Sequence, residues 1–192
     1  MIVTGIPGTG KTTVCREAQR IAEERGIRLR VVNFGDVMMK LQEEAGGGVE
    51  DRDKLRKSSL DFQKKLQAEA ARRIAGMIGE TEGHFIVDTH MSIKTRSGYL
   101  AGLPSHVLQI LKPDLLILVE ADPGEILRRR LGDATRERDV EEQERGVAEE
   151  LRFSRLMAAA CAVLAGAAVK IVENPPGEPE KAAEEIVKLL EG

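Results

Sequence analysis

The sequence is poor in aromatic residues and lacks the segments that mark several other classes of protein. Of its 192 residues, four are phenylalanine, one is tyrosine and none is tryptophan. No apolar run approaches the roughly 20 residues that a membrane-spanning helix requires, and no signal peptide is recognisable, so we expect no membrane partner. The net charge of −3 gives no general positive field, which argues against nucleic acid as a partner.

Cysteine is also scarce, and the chain contains only Cys15 and Cys161. Two cysteines, both in segments of helical pattern, do not form a disulfide framework. We therefore expect two buried, reduced thiols in a cytoplasmic protein. A catalytic cysteine is the less favoured alternative.

Five short runs of apolar and β-branched residues predict strands, and helical patterns separate them. The runs are continuous rather than alternating, which is typical of strands covered by helices on both faces. The alternation of strand and helix predicts a parallel α/β sheet in a three-layer sandwich with right-handed crossovers. The expected strands are residues 1–4, 28–34, 84–89, 114–120 and 167–173. The expected helices are residues 11–25, 36–45, 52–79, 104–112, 123–132, 138–164 and 179–191.

The stretch between the second and third expected strands is much longer than a crossover needs. About 50 residues separate these strands, whereas about a dozen are enough for one helix and its loops. We interpret residues 35–80 as a small inserted lobe within a single domain that spans residues 1–192. The glycine-rich segment at residues 45–53 would be its flexible joint.

The first strand leads into a loop with the pattern G-x-x-x-x-G-K-[ST]. Its glycines allow positive φ and let backbone N–H groups approach phosphate oxygens closely. The loop lies between a strand and a helix, which is the context that a phosphate-binding loop requires. We therefore predict a nucleoside triphosphate with magnesium as the ligand. The matching residues are Gly5, Ile6, Pro7, Gly8, Thr9, Gly10, Lys11 and Thr12.

Two side chains of this motif and one carboxylate have expected roles in binding. Lys11 would place its ammonium group on the β- and γ-phosphates, and the Thr12 hydroxyl would ligate magnesium. Asp88 ends an apolar strand, which is the Walker B arrangement, and would face the metal if its strand neighbours the first one. A carboxylate that only caps the following segment is the alternative for Asp88.

Five arginines fall within eleven residues, on a predicted helix and the loop after it. Successive helical side chains point about 100° apart, so Arg128, Arg129 and Arg130 cannot all face one ligand. We expect Arg128 to be solvated and Arg130 to reach phosphate. Arg136 and Arg138 are expected to do the same, since guanidinium groups stabilise a phosphoryl group in transfer. The guanine-reading motif N-K-x-D is absent, which disfavours a GTP-dependent switch.

Longer stretches of the sequence resemble the archaeal type of adenylate kinase nearly from end to end. The matching stretches are GIPGTGKTT, VVNFGDVM, DRDKLRK, VDTH, KTRSGYLAGLPS, KPDLLILVEADP, RRRLGDATRERD and GAAVKIVENPPG. The resemblance implies a P-loop NTPase fold with a five-stranded parallel sheet in the order 2-3-1-4-5. It further implies an inserted lobe that binds a nucleoside monophosphate, a short lid at residues 131–139 and a homotrimer. The implied reaction is ATP + AMP ⇌ 2 ADP with magnesium.

The resemblance also assigns functional residues at the matching positions of this chain. Gly5 to Thr13 would bind the ATP phosphates, and Asp88 would hold magnesium through water. Arg130 would pack against the ATP adenine, while Arg136 and Arg138 would bridge the phosphates of the two nucleotides. The ATP adenine would also contact the backbone of Asn174, Pro175, Pro176 and Gly177.

The chain departs from the family pattern around the monophosphate site. Gly35 is kept as an expected AMP contact, but methionines follow it where bacterial relatives have an arginine. The sequence THMS after the Walker aspartate replaces the family's G-F-P-R. The AMP phosphate therefore needs other donors, and the expected ones are, in order, Arg56, Lys94 and Arg96.

Two further points concern a histidine and the lid. His90 is either a contact of the AMP or a strand-end histidine satisfied by its neighbours, and both interpretations stay open. The lid is short and has no four-cysteine site, so no structural zinc is expected.

Two other functions remain as alternatives. A phosphate-loop kinase for another nucleoside monophosphate, or for a small hydroxyl compound, would share the core. An ATP-dependent switch or binding module would use the same loop, but would hydrolyse ATP slowly and without stimulation by AMP.

Overall fold

Strands and helices alternate along the part of the chain that the structure, a computed structural model, describes: residues 1–46, 59–95, 98–131 and 140–191. The strands are β1 (Ile2–Thr4), β2 (Leu29–Asn33), β3 (His84–Asp88), β4 (Ser92–Thr95), β5 (Gly98–Ala101), β6 (Leu115–Glu120) and β7 (Ala168–Glu173). The helices are α1 (Lys11–Glu24), α2 (Phe34–Glu44), α3 (Leu60–Gly79), α4 (Ser105–Leu111), α5 (Pro123–Leu131), α6 (Val140–Ala165) and α7 (Pro179–Lys188).

Five of the strands form one parallel sheet in the order β2-β3-β1-β6-β7. The five strands predicted from sequence thus stand in the expected order, and the predicted fold class is confirmed. Their numbers are not consecutive because β4 and β5 come between β3 and β6 and form a separate antiparallel hairpin. The sequence analysis did not predict this hairpin, since strands of four residues are too short for a clear periodic pattern.

Alternate residues of the central strands point into two separate apolar layers. On β6, Leu116 and Leu118 join one layer, while Ile117 and Val119 join the other. Helices α1 and α7 pack against the second face, and helices α2, α3, α4 and α6 contribute to the layer on the first. Both faces of the sheet are therefore covered, which explains the continuous apolar runs of its strands.

Helix α2 begins two residues earlier than predicted and shortens the second strand. The Oδ1 atom of Asn33 accepts a hydrogen bond from the backbone N–H of Asp36 at 3.1 Å. This side chain therefore caps the first turn, so that the helix begins directly after β2. As a result, the carboxyl end of β2 and the start of α2 lie at the same edge of the sheet.

The remaining expectations about organisation fall partly outside the described residues. Helices α2 and α3 occupy most of the stretch predicted as an inserted lobe, but residues 47–58 between them lie outside the described part. The same holds for residues 132–139 of the predicted lid. Cys15 and Cys161 are both free and buried. None of the helices in the described ranges is long and apolar enough to cross a membrane.

Candidate active site

The loop between β1 and α1 is packed closely against its surroundings. Gly5 has a φ of 149°, and a Cβ atom at this position would lie 2.4 Å from the carbonyl oxygen of Val119 on β6. Ile6 is buried in a small apolar cluster with Ile126 of α5. The Thr9 hydroxyl donates a hydrogen bond to the carbonyl oxygen of Ile6 at 3.1 Å. These contacts hold the loop in one conformation.

Three side chains bind the outward-facing carbonyl groups of the loop. Arg129 Nη1 and Asn174 Nδ2 both donate to the carbonyl oxygen of Thr9, at 3.1 and 2.8 Å. Arg130 Nε donates to the carbonyl oxygen of Pro7 at 2.9 Å. In a trans peptide the following N–H points the opposite way, so the N–H groups of Gly8 and Gly10 point away from these three side chains. This arrangement is suited to holding an anion.

Acidic side chains hold the two arginines in place. Glu125, on the same helix, accepts hydrogen bonds from Arg128 and from Arg129, the latter at 2.7 Å. These hydrogen bonds, that of Arg128 first, keep the pKa of Glu125 below its usual value. Glu150 of α6 pairs with Arg130 at 2.9 Å. Arg128 itself is largely exposed, as the sequence analysis expects.

Lys11 begins α1 directly after the loop and is only 5% exposed. Burial lowers the pKa of its ammonium group, and the negative charge of Asp88 partly opposes this effect. A buried cation of this kind is strongly attracted to an anion that enters the site, because little water screens the interaction. The position of Lys11 is therefore consistent with its expected contact with phosphate.

Asp88 receives two hydrogen bonds at the carboxyl end of β3. The Thr12 hydroxyl and the Asn33 side-chain amide both lie 2.9 Å from its Oδ2 atom. Asn33 is level with Asp88 in the β2–β3 register, so the sheet itself places the two side chains together. The predicted neighbourhood of Thr12 and Asp88 is thus present, with Asn33 as an addition.

The same residues fit a magnesium ion by the chemistry of their donors. A hydroxyl and a carboxylate are hard oxygen ligands, and a magnesium ion that also binds phosphate needs only one or two of them from the protein. Thr12 and Asp88 supply this set beside the phosphate loop. Elsewhere in the described ranges, no group of three or more histidine, cysteine or acidic side chains could hold a metal ion.

A second pocket adjoins the loop and lies between α2, α3, the segment after β3 and the β4–β5 hairpin. Asn33 lines it and also bonds Asp88, so this side chain connects the pocket to the Asp88–Thr12 pair beside the phosphate loop. Two residues expected to contact AMP, Gly35 and His90, line it as well. The other lining residues are Phe34, Met38, Gln63, Gln67, Thr89, Ile93, Leu100 and Gly102.

The remaining predicted residues are distributed as follows. Arg56, Arg96, Arg136 and Arg138 lie outside the described residues. The backbone of Lys94 belongs to β4, and its side chain is outside the described part. Thr13 is exposed on the first turn of α1, and Pro175, Pro176 and Gly177 form the turn between β7 and α7.

Sequence reasoning did not identify two contributors to this site and gave a third a different role. Arg129 reaches the loop beside Arg130, although helical geometry had suggested that neighbouring arginines diverge. Its spacing of four from Glu125 was the available signal. Asn33 gave no signal, since its role depends on strand register. Asn174 was expected to act through its backbone, whereas its side chain binds the loop.

Known proteins resemble this chain over nearly its whole length. A family model described as an AAA domain matches residues 4–145. An adenylate kinase of Saccharolobus solfataricus is 46% identical over 98% of this chain and 97% of its own. One from Methanocaldococcus jannaschii is 44% identical over 99% of this chain and 97% of its own. Among solved structures, a shikimate kinase from Acinetobacter baumannii in complex with shikimate aligns over 98% of this chain and 90% of its own, with 16% identity and a TM-score of 0.49.

Proposed function

The chain belongs to the adenylate kinase family that these archaeal proteins represent, and on this premise we propose that it catalyses ATP + AMP ⇌ 2 ADP. One observation carries the proposal: Asn33 lines the second pocket and bonds Asp88, which also accepts a hydrogen bond from Thr12 at the end of the phosphate loop. Two nucleotides bound in these places would meet at their phosphates. Such a juxtaposition is what direct phosphoryl transfer requires.

On the ATP side, residues Gly5 to Thr13 would hold the phosphates. Lys11 would neutralise charge on the β- and γ-phosphates, because its buried ammonium is close to the loop and little screened. Thr12 and Asp88 would hold magnesium, which supplies further positive charge to the transferring group. Arg130 would contact the adenine while it holds the loop, and Asn174 to Gly177 would lie along the base.

On the AMP side, Gly35 and His90 would contact the nucleotide, since both line the second pocket. Arg56, Lys94 and Arg96 are the proposed donors to the AMP phosphate. Arg136 and Arg138 would bridge the phosphates of the two nucleotides. The reaction needs no nucleophile from the protein, because the AMP phosphate itself attacks the γ-phosphorus of ATP and ADP leaves.

Water must be kept from the migrating phosphoryl group, since otherwise ATP would be hydrolysed. We propose that closure of the segments 35–80 and 131–139 over both nucleotides excludes water. Helix α2 begins at the site and is followed by Gly46, which has a φ of 77° and, among the described residues, no neighbouring atom within 4 Å of where a Cβ would lie. The proposed motion is consistent with these features.

A homotrimer is proposed from the same family relationship, together with a cytoplasmic location. Several apolar side chains of α6 and of the edge strand β7 are exposed, among them Leu156, Val163 and Ile171. Exposed apolar groups next to a sheet edge are a surface that assembly would cover. Light scattering after gel filtration should give three times the 21.0 kDa of one chain. A monomer at micromolar concentration would contradict the assembly without affecting the proposed reaction.

The experiment that tests the function is a coupled assay of the purified protein with ATP, magnesium and each nucleoside monophosphate in turn. AMP should stimulate ATP consumption strongly and give two ADP for each ATP used. If another nucleoside monophosphate stimulates ATP consumption more strongly than AMP, that nucleotide is the acceptor instead of AMP. Slow hydrolysis that AMP does not stimulate would indicate a switch or binding module instead.

A further inference from the structure

Two glutamines of α3 face the second pocket, and neither has a role so far. Gln63 and Gln67 are one helical turn apart, so both lie on the same face of α3. Gln63 is buried and Gln67 is half-buried. A side-chain amide carries both a hydrogen-bond donor and an acceptor, which makes it suitable for reading the edge of a nucleobase.

The orientation of a bound monophosphate follows from how the pocket is joined to the rest of the site. The segment after β3 is tied to the phosphate-loop side, because the backbone N–H of Thr89 donates to Val3 O at 3.0 Å and that of Met91 to Gly5 O at 3.4 Å. Among the described elements, α3 packs mainly against α2 and α4, whereas this segment is bonded to β1 and the phosphate loop. A monophosphate with its phosphate toward the loop would therefore direct its base toward α3.

The pocket between these walls suits a flat, largely apolar ring. Phe34 and Met38 of α2 line one side, and Ile93 and Leu100 of the hairpin line another. Such side chains favour burial of a purine but do not distinguish one base from another. Discrimination must then come from polar groups that meet the edge of the base.

The α3 wall is firmly anchored, as precise recognition requires. Ala70, Ala71 and Ile74 on the following turns are fully buried against the sheet. Arg73 forms two hydrogen bonds with Glu44 of α2, at 2.9 and 3.1 Å. Helices α2 and α3, which both line the pocket, are thus bonded to each other at a point farther along α3 than the glutamines.

We propose that Gln67 hydrogen-bonds the Watson–Crick edge of the adenine of AMP, so that selection of the acceptor base resides on α3. The amide oxygen would accept from the exocyclic amino group, and the amide N–H would donate to the adjacent ring nitrogen. The proposal rests on the proposed function and refines it. Gln63 forms the same wall one turn earlier.

Gln67→Glu is the sharpest test, because a carboxylate accepts but does not donate. It would repel the ring nitrogen of adenine, whereas the two N–H groups on the edge of guanine would both donate to it. We expect the ratio of kcat/KM for AMP to that for GMP to fall about 10- to 100-fold.

Two further variants complete the experiment. Gln67→Met keeps the length of the side chain but removes both hydrogen bonds, and should raise the KM for AMP about tenfold while the KM for ATP stays the same. Gln109→Glu on α4 makes the same charge change at an exposed position outside the pocket, and should leave the AMP-to-GMP ratio unchanged. Thermal unfolding monitored by circular dichroism checks that each variant is folded.

The outcomes separate this inference from the proposed function. A wild-type protein that shows no AMP-dependent formation of ADP overturns the proposed function. An active wild type whose AMP-to-GMP ratio is the same in Gln67→Glu and in Gln109→Glu overturns the role of Gln67 alone. If Gln67→Glu fails to fold, an unchanged KM for AMP in Gln67→Met is sufficient to reject it.

Discussion

The phosphate loop and the α2–α3 pocket adjoin each other but are built in opposite ways. The loop is one continuous segment whose carbonyl groups are bound by Arg129, Arg130 and Asn174. The pocket is assembled from four separate segments, and most of its lining is apolar. Charge and fixed dipoles thus dominate one side, while shape and a few amides dominate the other.

This difference indicates that the phosphate loop and the pocket would have different roles in binding. Phosphates are the same in every nucleotide, so a rigid set of backbone amides is sufficient for them. Base identity requires side chains placed at a distance from the phosphate, and these come from other elements. Damage to the loop should therefore reduce catalysis with every acceptor, whereas damage to the pocket should change which acceptor is used.

The largest effect is expected from Lys11→Met. Loss of the buried ammonium removes charge stabilisation from the transferring group, so kcat should fall by about 10³-fold or more. The melting temperature should change little, because a chain of similar length replaces a charge that burial disfavours. Lys188→Met, at an exposed position of α7, serves as the matched control in the coupled assay. A purified Lys11→Met protein with normal activity would remove the basis for the assigned role.

Substitution of a glycine in the phosphate loop and of one in the pocket should distinguish the roles of these two parts of the site. Gly5→Ala would bring a Cβ within 2.4 Å of the Val119 carbonyl oxygen, and Gly102→Ala would bring one within 1.8 Å of the His90 carbonyl oxygen. We expect each to destabilise the fold by about 2–4 kcal/mol, since backbone must move in both cases. Gly5→Ala should mainly raise the KM for ATP, and Gly102→Ala the KM for AMP.

The control for this pair is Gly26→Ala. Gly26 has a φ of 71°, but no described atom lies within 4 Å of where its Cβ would be. The substitution should cost only about 1 kcal/mol, from the positive φ alone. Urea unfolding and steady-state kinetics measure both quantities. Equal effects of Gly5→Ala and Gly102→Ala on the two substrates would show that the sides do not act separately.

A smaller effect is expected from Arg129→Met, which removes one donor from the Thr9 carbonyl group. The loop would lose a hydrogen bond from a charged group, and the KM for ATP should rise about tenfold. Arg128→Met is a close control, because Arg128 also binds Glu125 but does not touch the loop. It should change the KM less than about twofold. Equal effects of Arg129→Met and Arg128→Met on the KM for ATP would contradict this role of Arg129.

The smallest expected effect is an uptake of protons by the protein when ATP binds. Burial holds the pKa of Lys11 below its usual 10.5 in the free protein, and bound phosphates would raise it again. ATP binding should therefore take up a fraction of a proton at alkaline pH, and affinity should weaken as the pH rises through the lowered value. Calorimetry in two buffers of different ionisation enthalpy measures the uptake. Lys11→Met should show none at saturating ATP.

The sequence by itself determined the phosphate loop and the layered sheet. The loop could be recognised because all of its residues are contiguous and its chemistry comes mainly from the backbone. The strands could be recognised because burial on both faces requires continuous apolar runs. The short β4–β5 hairpin left no such trace. Asparagine is a favoured N-cap residue, but Asn33 follows strand-like residues and was included in the predicted strand, so its cap was not predicted either.

Only the tertiary structure decided which side chains complete the site. Arg129 and Asn174 bind Thr9 across 120 and 165 residues of chain, and Asn33 meets Asp88 through strand register. Gln67 faces the pocket because α3 packs against α2 and the sheet. No local pattern records such meetings, because they depend on how distant segments are packed rather than on the order of residues along any one of them.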